Sequence, residues 1–296
     1  MRWTRSLAAP EAIAALVAAR CGIAVTACEL VRSLTNDVYR VEATDGRAHA
    51  CKVYATGSRH VAWEQDLAAH LAAAGVTAAA PVPLDDGTLV GTVDAPEGTR
   101  PFTVTVWAAG EKPRPPWSGA LFHRYGTALA RFHLAVDGFA GAHPARVDEP
   151  LATLDAALPA VVDPMVGAMA AAARERLAQV ANPDRGVRHG DASLDNVHLM
   201  PDGGIQWHDF DLAAVGWRAA DLTGPYGGAH WPAFLEGYRT LRPVDPDAVV
   251  ALRVVELVRN IAWHLTAKVA LRGSESVGEG WVERELASLR DLREVL

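Results

Sequence analysis

The spacing of hydrophobic and polar positions along the chain changes near residue 108. Before this point, short segments with a period of two predict strands over 28–34, 37–44, 48–54, 89–93 and 102–107. Two upstream segments, 10–22 and 60–74, have the period of a helix instead. The first part of the chain therefore predicts a small antiparallel sheet of five strands, with one main helix inserted after the third strand.

The second part of the chain begins after residues 108–116, a segment rich in proline and glycine. Helices are predicted there over 119–136, 163–181, 230–241, 246–271 and 280–294. We therefore expect an α+β fold with two lobes. A β-rich lobe (1–107) is joined by a linker (108–116) to a larger, mostly helical lobe (117–296).

Composition narrows the classes of function. The chain has 296 residues, 50% of them hydrophobic, and its 28 basic and 35 acidic residues give a formal charge of −7. This balance argues against a nucleic-acid partner and is compatible with a cationic one. The three cysteines lack metal-ligand spacing, and neither a signal peptide nor an apolar run of membrane length is apparent. We expect a cytoplasmic protein with reduced thiols, either a monomer or a homodimer.

The polar residues with the strongest chemical signal lie within residues 187–222. Asp191 is followed five residues later by Asn196, and Asp209 comes after a predicted hairpin over 196–207. The hairpin thus holds a carboxylate and a carboxamide at one end and a second carboxylate at the other. Such groups serve proton transfer and the binding of a hard metal ion.

These residues also carry a resemblance to a known family. The pattern H-G-D-x-x-x-x-N, followed by Asp209-Phe210-Asp211, resembles the aminoglycoside phosphotransferase and choline kinase superfamily, small-molecule kinases with a protein-kinase-like fold. The two motifs stand in the right order at the right interval, and the two predicted lobes extend the resemblance over nearly the whole chain. The helix from residue 246 and Gly216 look more loosely like the branch of homoserine-kinase-like and stress-response kinases.

The resemblance implies a role for each motif residue. Asp191 would accept or orient the proton of the acceptor hydroxyl, and Asn196 and Asp209 would hold Mg²⁺ on the phosphates of ATP or GTP. His189 would brace the catalytic loop by hydrogen bonds. Asp211 would support the metal site or bind a second ion.

Further nucleotide contacts are expected in the β-rich lobe. Lys52 lies inside a strand, and the chain has only three lysines, so its ammonium is a candidate for the α- and β-phosphates; an edge-strand lysine is the alternative. Glu64 in the following helix is its candidate partner, with a solvated helix carboxylate as the alternative. There is no G-x-G-x-x-G loop, and the turn residues Thr35 and Asn36 match the phosphate turn of the family. Trp107, at the end of the last predicted strand, is a candidate contact to the nucleotide.

The helical lobe should supply the acceptor site. Its polar and aromatic candidates are Tyr226, His230, Trp231, Glu256, Asn260 and Trp263. The last three share one helix face, although core aromatics and a buried polar stripe remain alternatives. The leading hypothesis is an ATP- or GTP-dependent O-phosphotransferase acting on a small, polar, possibly cationic molecule such as an antibiotic or amino alcohol. A protein Ser/Thr kinase of the stress-response type and a catalytically silent nucleotide-binding protein are the alternatives.

Overall fold

An antiparallel sheet forms the first part of the computed structural model, which describes residues 5–296 except for the side chain of residue 275. Its five strands are β1 (Val25–Ser33), β2 (Asp37–Ala43), β3 (Ala48–Val53), β4 (Gly91–Ala95) and β5 (Gly98–Val106). They are arranged in the order β1-β2-β3-β5-β4, so β3 is an interior strand. Burial alternates along β2 and β3, which places Tyr39, Val41, Cys51 and Val53 in one core. The predicted five-stranded antiparallel sheet is confirmed.

Two helices accompany this sheet, α1 (Pro10–Cys21) and α2 (Val61–Ala73). Helix α1 has a proline in its first turn and ends at Gly22, whose φ of 66° is readily adopted only without a Cβ. Ile13 and Val17 of α1 join the core of the sheet. Helix α2 follows β3, as the sequence predicts.

A β-hairpin far along the chain packs with these elements. Its strands, Val197–Leu199 and Ile205–Trp207, pair with each other in antiparallel register. Leu199 exchanges two backbone hydrogen bonds with Glu111 of the linker, of 3.0 and 2.8 Å. On the other strand, the Trp207 amide donates to Thr77 O (2.9 Å) and its carbonyl accepts from Ala79 N (3.1 Å). The hairpin is therefore attached to the β-rich part through its backbone.

The second part of the chain is mostly helical. Its helices are α3 (Gly119–Ala135), α4 (Pro150–Ala157), α5 (Pro164–Gln179), α6 (Trp231–Arg239), α7 (Pro246–Leu265), α8 (Ala267–Arg272) and α9 (Trp281–Asp291). The side chains of Ser118, Asp163 and Asp245 cap α3, α5 and α7 by accepting backbone N–H groups of the first turn. Helix α7 is buried along most of its length and forms a core with α4, α5 and α9. A small sheet joins Val147–Asp148, Ala214–Trp217 and Arg185–Arg188 in that order.

The structure differs from the predicted elements in three ways. Helix α4 has no counterpart in the prediction, and the predicted helix over 246–271 is divided at Thr266, where φ and ψ are −123° and −79°. The first and fifth strands begin earlier than predicted, and the fourth begins and ends two residues later. In β1, residues exposed on both faces mask the alternation. Within residues 5–296, we find no helix with the length and apolar character needed to cross a membrane.

The chain divides into two units, and each unit contains three separate stretches of sequence, so no single boundary separates them. The first unit contains the residues up to Pro113, together with Phe139–Ala145 and Leu194–Asp211; the second contains Arg114–Gly138, Arg146–Ser193 and Leu212–Leu296. The change at Pro113 lies inside the predicted linker, 108–116. The sequence assigns residues 139–145 and 194–211 to the helical lobe, but both belong to the first unit. The hairpin within 194–211 pairs with the linker, and Ala142 N and His143 N donate to Asp66 of α2 at 2.8 and 3.1 Å.

Candidate active site

A cavity of about 270 Å³ lies within the first unit. It is lined by six residues that the sequence singles out, namely Lys52, Glu64, Trp107, Asn196, Asp209 and Asp211. Much of the remaining wall is apolar or small, and includes Val38, Ala50, Ala68, Ala79 and Phe210. Residues separated by more than a hundred positions in the chain thus meet in one cavity, which combines a charged centre with an apolar wall.

The charged centre is built around Lys52. Its Nζ donates to Asp209 Oδ1 at 2.7 Å and makes a second, short ion pair with Asp211. Burial acts to lower the pKa of Lys52, but the carboxylates of Asp211 and Asp209 outweigh it and raise the pKa above its ordinary value. The lysine is therefore charged. Because β3 lies between β2 and β5, Lys52 is not an edge-strand lysine.

Asp211 is held from a second side by the turn between β1 and β2. Asn36 Nδ2 donates to Asp211 Oδ2 at 2.5 Å, while Asn36 Oδ1 accepts from Ala55 N at 3.1 Å. Burial raises the pKa of Asp211, and the adjacent Lys52 ammonium opposes this effect. Thr35 is exposed in the same turn. The turn is thus tied to the charged centre through the Asn36 amide, which would have to exchange partners to contact a phosphate.

Asn196 and Asp209 lie at the open end of the hairpin. The His208 amide donates to the Asn196 carbonyl at 3.1 Å, which continues the pairing of the hairpin strands and brings the two segments together. Asp209 has a φ of 65°, a left-handed conformation that costs a residue with a side chain some strain. Strain of this kind is common where a side chain must be aimed at a functional centre.

The oxygen donors of the charged centre fit a magnesium ion. Asn196 supplies a carboxamide oxygen, and Asp209 and Asp211 supply two carboxylates that share the Lys52 ammonium. Hard oxygen donors of this kind suit Mg²⁺, which takes few protein ligands and completes its shell with phosphate and water. Among residues 5–296, no group of three or more His, Cys, Asp or Glu side chains is arranged to bind a metal ion.

The cavity also contains polar residues that sequence reasoning missed. Lys112, from the linker, donates to the backbone carbonyl of Asp195 and, at 2.8 Å, to His208 Nε2. Burial lowers the pKa of Lys112. Gln65 lies beside Glu64 on α2, and both side chains are buried. The rarity of lysine is the only sequence feature that marks Lys112 as a possible site residue. No such feature marks Gln65.

The loop that carries Asp191 belongs to the second unit, where the Asp191 side chain is exposed. The preceding His189 is fully buried, and its Nδ1 accepts a long hydrogen bond from Asp191 N at 3.4 Å. Gly190 has a φ of 81°, and a Cβ at this position would collide with the carbonyl oxygen of Leu212. The buried His189 ring thus contacts the loop backbone, and the glycine allows the close approach of the loop to Leu212.

A buried carboxylate anchors this loop. Asp221 Oδ2 accepts from His189 N at 2.6 Å, and its Oδ1 accepts from Gly190 N at 2.9 Å. His133 Nε2 lies 3.1 Å from Asp221 Oδ2, and its Nδ1 lies 2.8 Å from the Tyr238 hydroxyl. Burial acts to raise the pKa of Asp221, but the His133 hydrogen bond and nearby positive charge lower it to about 2. Asp221 thus anchors the loop, and the sequence analysis singled out neither His133 nor Tyr238.

The candidate acceptor residues of the second unit make internal contacts. Glu256 is buried, with ion pairs to Arg259 (2.5 Å) and Arg188 (3.7 Å), and Asn260 hydrogen-bonds Glu285. The aromatic candidates also pack on neighbours: Trp263 on His264, Tyr226 on Trp231, and His230 on Phe122, with ring centroids 5.0, 5.2 and 5.0 Å apart. Glu256, Asn260 and Trp263 do share one continuous helix, α7, as predicted.

Comparison with known proteins agrees with the charged cavity and the loop motif. The model of the phosphotransferase enzyme family matches residues 26–243. A protein of uncharacterised function from Deinococcus radiodurans is 32% identical over 98% of this chain and 91% of its own length. A homoserine kinase from Rhizobium etli is 28% identical over 67% of this chain, which covers 65% of that protein, less than two thirds of its length.

Solved structures have the same fold. An amicoumacin kinase in complex with AMP-PNP, Ca²⁺ and Ami superposes with a TM-score of 0.72 at 18% identity, covering 96% of this chain and 93% of the other. The predicted α+β, protein-kinase-like fold is therefore confirmed. In class, the protein is a phosphotransferase, as predicted. The chain belongs to the phosphotransferase enzyme family, and the family recognised from the two sequence motifs is confirmed.

Proposed function

We propose that this chain transfers the γ-phosphoryl group of ATP to a hydroxyl group of a small, polar molecule that also carries an amine. The observation that carries the proposal is the convergence of Lys52, Asn196, Asp209 and Asp211 on one cavity, in a chain whose catalytic motif supplies Asp191. ATP as the donor is supported by the amicoumacin kinase, which was solved with AMP-PNP.

Each of these residues has a separate role in phosphoryl transfer. The acceptor oxygen forms a bond to the γ-phosphorus while the bond from that phosphorus to the β,γ-bridging oxygen breaks, so ADP leaves and the acceptor proton passes to Asp191. Lys52, supported by Glu64, stabilises negative charge on the nucleotide phosphates. Asn196 and Asp209 would hold Mg²⁺, which would supply further positive charge to the phosphates.

The remaining nucleotide contacts come from the first unit. Thr35 and Asn36 would cover the phosphates from the turn between β1 and β2, where Asn36 is already bonded to Asp211. Trp107 contributes an aromatic surface to the cavity wall. His189 keeps the loop backbone in place, and Asp211 supports the metal site.

An amine-bearing acceptor is supported by two independent facts. The homoserine kinase relative acts on a molecule that has an amino group as well as a hydroxyl group, and the net charge of this chain is −7. An acidic protein attracts cationic molecules over long distances. We place the acceptor site in the second unit, with Tyr226, His230, Trp231, Glu256, Asn260 and Trp263 as its candidate residues.

The direct test is a phosphorylation screen. Mg-ATP and Mg-GTP are incubated with hydroxylated amino acids, amino alcohols and antibiotics, and the products are read by mass spectrometry. We expect a gain of one phosphoryl group on an amine-bearing compound. The Asp191→Asn variant should lower kcat by about 10²–10⁴-fold, because it removes the proton acceptor, while its nucleotide affinity is unchanged.

Asp202→Asn is the matched control, since this carboxylate is exposed in the hairpin turn and accepts a hydrogen bond only from Gly204 N (2.8 Å) among the described contacts. Full turnover of Asp191→Asn on the true acceptor would overturn the base assignment. Tight nucleotide binding without transfer to any compound would indicate a protein acceptor or a silent nucleotide-binding protein.

A further inference from the structure

Lys112 lines the cavity from the linker, and its ammonium contacts two residues that flank the hairpin. Its Nζ donates to the backbone carbonyl of Asp195 and, at 2.8 Å, to His208 Nε2. Asp195 directly precedes Asn196 in the chain, and His208 directly precedes Asp209. Consecutive Cα atoms are only about 3.8 Å apart, so the ammonium is held close to both candidate metal ligands.

The three lysines of the chain differ in how their charge is balanced. Lys52 faces two carboxylates, and Lys268 pairs with Glu279 at 2.6 Å. Lys112 contacts a carbonyl and an imidazole instead, and no carboxylate in the described part of the chain forms an ion pair with it. The residue is exposed, and its two contacts use two of the three N–H donors of an ammonium. One donor and the positive charge can therefore serve a ligand in the cavity.

A second cation of the same kind lines this cavity. Arg32 lies on β1, is exposed, and forms no ion pair with any residue that the structure describes. Burial lowers the pKa of Lys112 most, and the positive charge of Arg32 lowers it further, so the two cations lie within electrostatic range of each other. Because like charges repel, an anion that attracts both of them would be favoured at this place.

Phosphate is the anion that suits this part of the cavity. The centre around Lys52 has two carboxylates for one ammonium, so by itself it repels a negatively charged ligand. Lys112 and Arg32 supply positive charge in the same cavity that no carboxylate of the described chain neutralises by an ion pair. The triphosphate tail is the anionic part of a nucleotide, and a lysine ammonium binds phosphate oxygens as a point charge.

We propose that Lys112 and Arg32 form a second phosphate-binding centre, which holds the triphosphate tail of the donor nucleotide. The inference rests on the proposed function, because it takes the cavity as the site of the phosphoryl donor. The Lys112 ammonium, positioned by Asp195 and His208, donates its third N–H to a phosphate oxygen beside those that the metal ion would bind. Because the two cations act on the phosphates directly, their contribution does not require the metal ion.

The test measures the affinity for ATP by calorimetry on the full chain, with Mg²⁺ and with a chelator. Lys112→Met removes the charge, and ATP should bind about 5- to 30-fold more weakly in both conditions, a loss between that of an exposed ion pair and that of a buried charged hydrogen bond. Lys112→Arg keeps the charge and should recover most of the affinity. The loss in Lys112→Met should shrink as salt is added, because salt screens exposed charges.

Arg131→Met is the matched control for the loss of one positive charge. Arg131 is exposed on α3 and has no ion pair in the described part of the chain, so its removal should leave the ATP affinity unchanged. A contact to the ribose is tested with 2′-deoxy-ATP and 3′-deoxy-ATP, whose affinities relative to ATP should be the same in the wild type and in Lys112→Met. If Lys112→Met does not fold, Arg32→Met, at an exposed position on β1, should also weaken the binding of ATP in the chelator.

An unchanged ATP affinity of Lys112→Met in the chelator, or no binding of ATP to the wild type there, would overturn the proposal. A loss confined to Mg²⁺ would also overturn it, because Lys112 would then act through the metal ligands. So would a relative affinity for a deoxy analogue that changes in Lys112→Met, since this would indicate a ribose contact. Absence of ATP binding with Mg²⁺ as well would refute the proposed function too. An ATP affinity that depends on Lys112, in a protein that phosphorylates no acceptor, would support the proposal and leave only the transfer reaction refuted.

Discussion

Replacing Asp221 by Asn tests how a buried carboxylate holds the loop that carries Asp191. The two oxygens of Asp221 accept from His189 N at 2.6 Å and Gly190 N at 2.9 Å, and His133 Nε2 lies at 3.1 Å. Asparagine keeps the shape of the side chain. However, one of its terminal atoms becomes an NH₂ group that faces a donor, so at least one buried bond is lost.

The size of the effect follows from the pKa of Asp221. A pKa of about 2, against an ordinary 3.8, corresponds to roughly 2–3 kcal/mol of stability carried by the ionised form. Because the pKa is depressed, this stability is present above about pH 4 and is lost as the pH falls through 2. An unpaired buried donor adds about 1–3 kcal/mol in the variant. We therefore expect Asp221→Asn to lower the free energy of unfolding at pH 7 by about 3–6 kcal/mol.

The assay is urea unfolding at pH 7 and at decreasing pH, together with steady-state kinetics. The wild type should lose stability between pH 4 and pH 2, and Asp221→Asn should lose less over the same range. A displaced Asp191 should lower kcat by about 10²-fold. Asp155→Asn is the control, since this carboxylate is 61% exposed and pairs with the exposed Arg174, so its loss should cost under about 1 kcal/mol. An Asp221→Asn variant as stable and active as the control would refute the reasoning.

Two further substitutions test the charged centre of the cavity. Lys52→Met removes the ammonium that we propose binds the phosphates, and should raise the KM for ATP by about 10- to 150-fold, as measured by steady-state kinetics. An unchanged KM would mean that Lys52 binds only its two carboxylates. Asp209→Ala should remove the metal-dependent part of nucleotide binding, so that ATP affinities measured by calorimetry with Mg²⁺ and with a chelator become equal. A Mg²⁺ dependence like that of the wild type in this variant would contradict the metal assignment.

Much of the fold could be predicted from local patterns because its elements are amphipathic. The strands β2 and β3 each have one buried and one less buried face, so alternation is visible in the sequence. Helix α1 has a proline at its start and a left-handed glycine at its end, which mark both boundaries. The loop that carries Asp191 was recognisable because the chemistry we propose for it requires particular residue types at fixed intervals.

Other features depend on tertiary contacts that local patterns do not contain. Helix α4 is only eight residues long, too short to display a helical period clearly. The break at Thr266 involves neither proline nor glycine, so no sequence signal marks it. Gln65 and Lys112 became site candidates only because the hairpin and the linker pair and enclose the cavity around them.

The pairing of charges in the cavity implies that nucleotide and metal ion bind cooperatively. One ammonium, on Lys52, faces two carboxylates, Asp209 and Asp211, so the centre has a surplus of negative charge. A nucleotide that drew Lys52 toward its phosphates would leave both carboxylates without a counter-charge, which is unfavourable in a buried site. A divalent cation replaces that charge and also neutralises the phosphates. Each ligand therefore favours the binding of the other, and because the coupling is reciprocal, its loss in Asp209→Ala must appear equally in the affinity for the metal ion and in that for ATP.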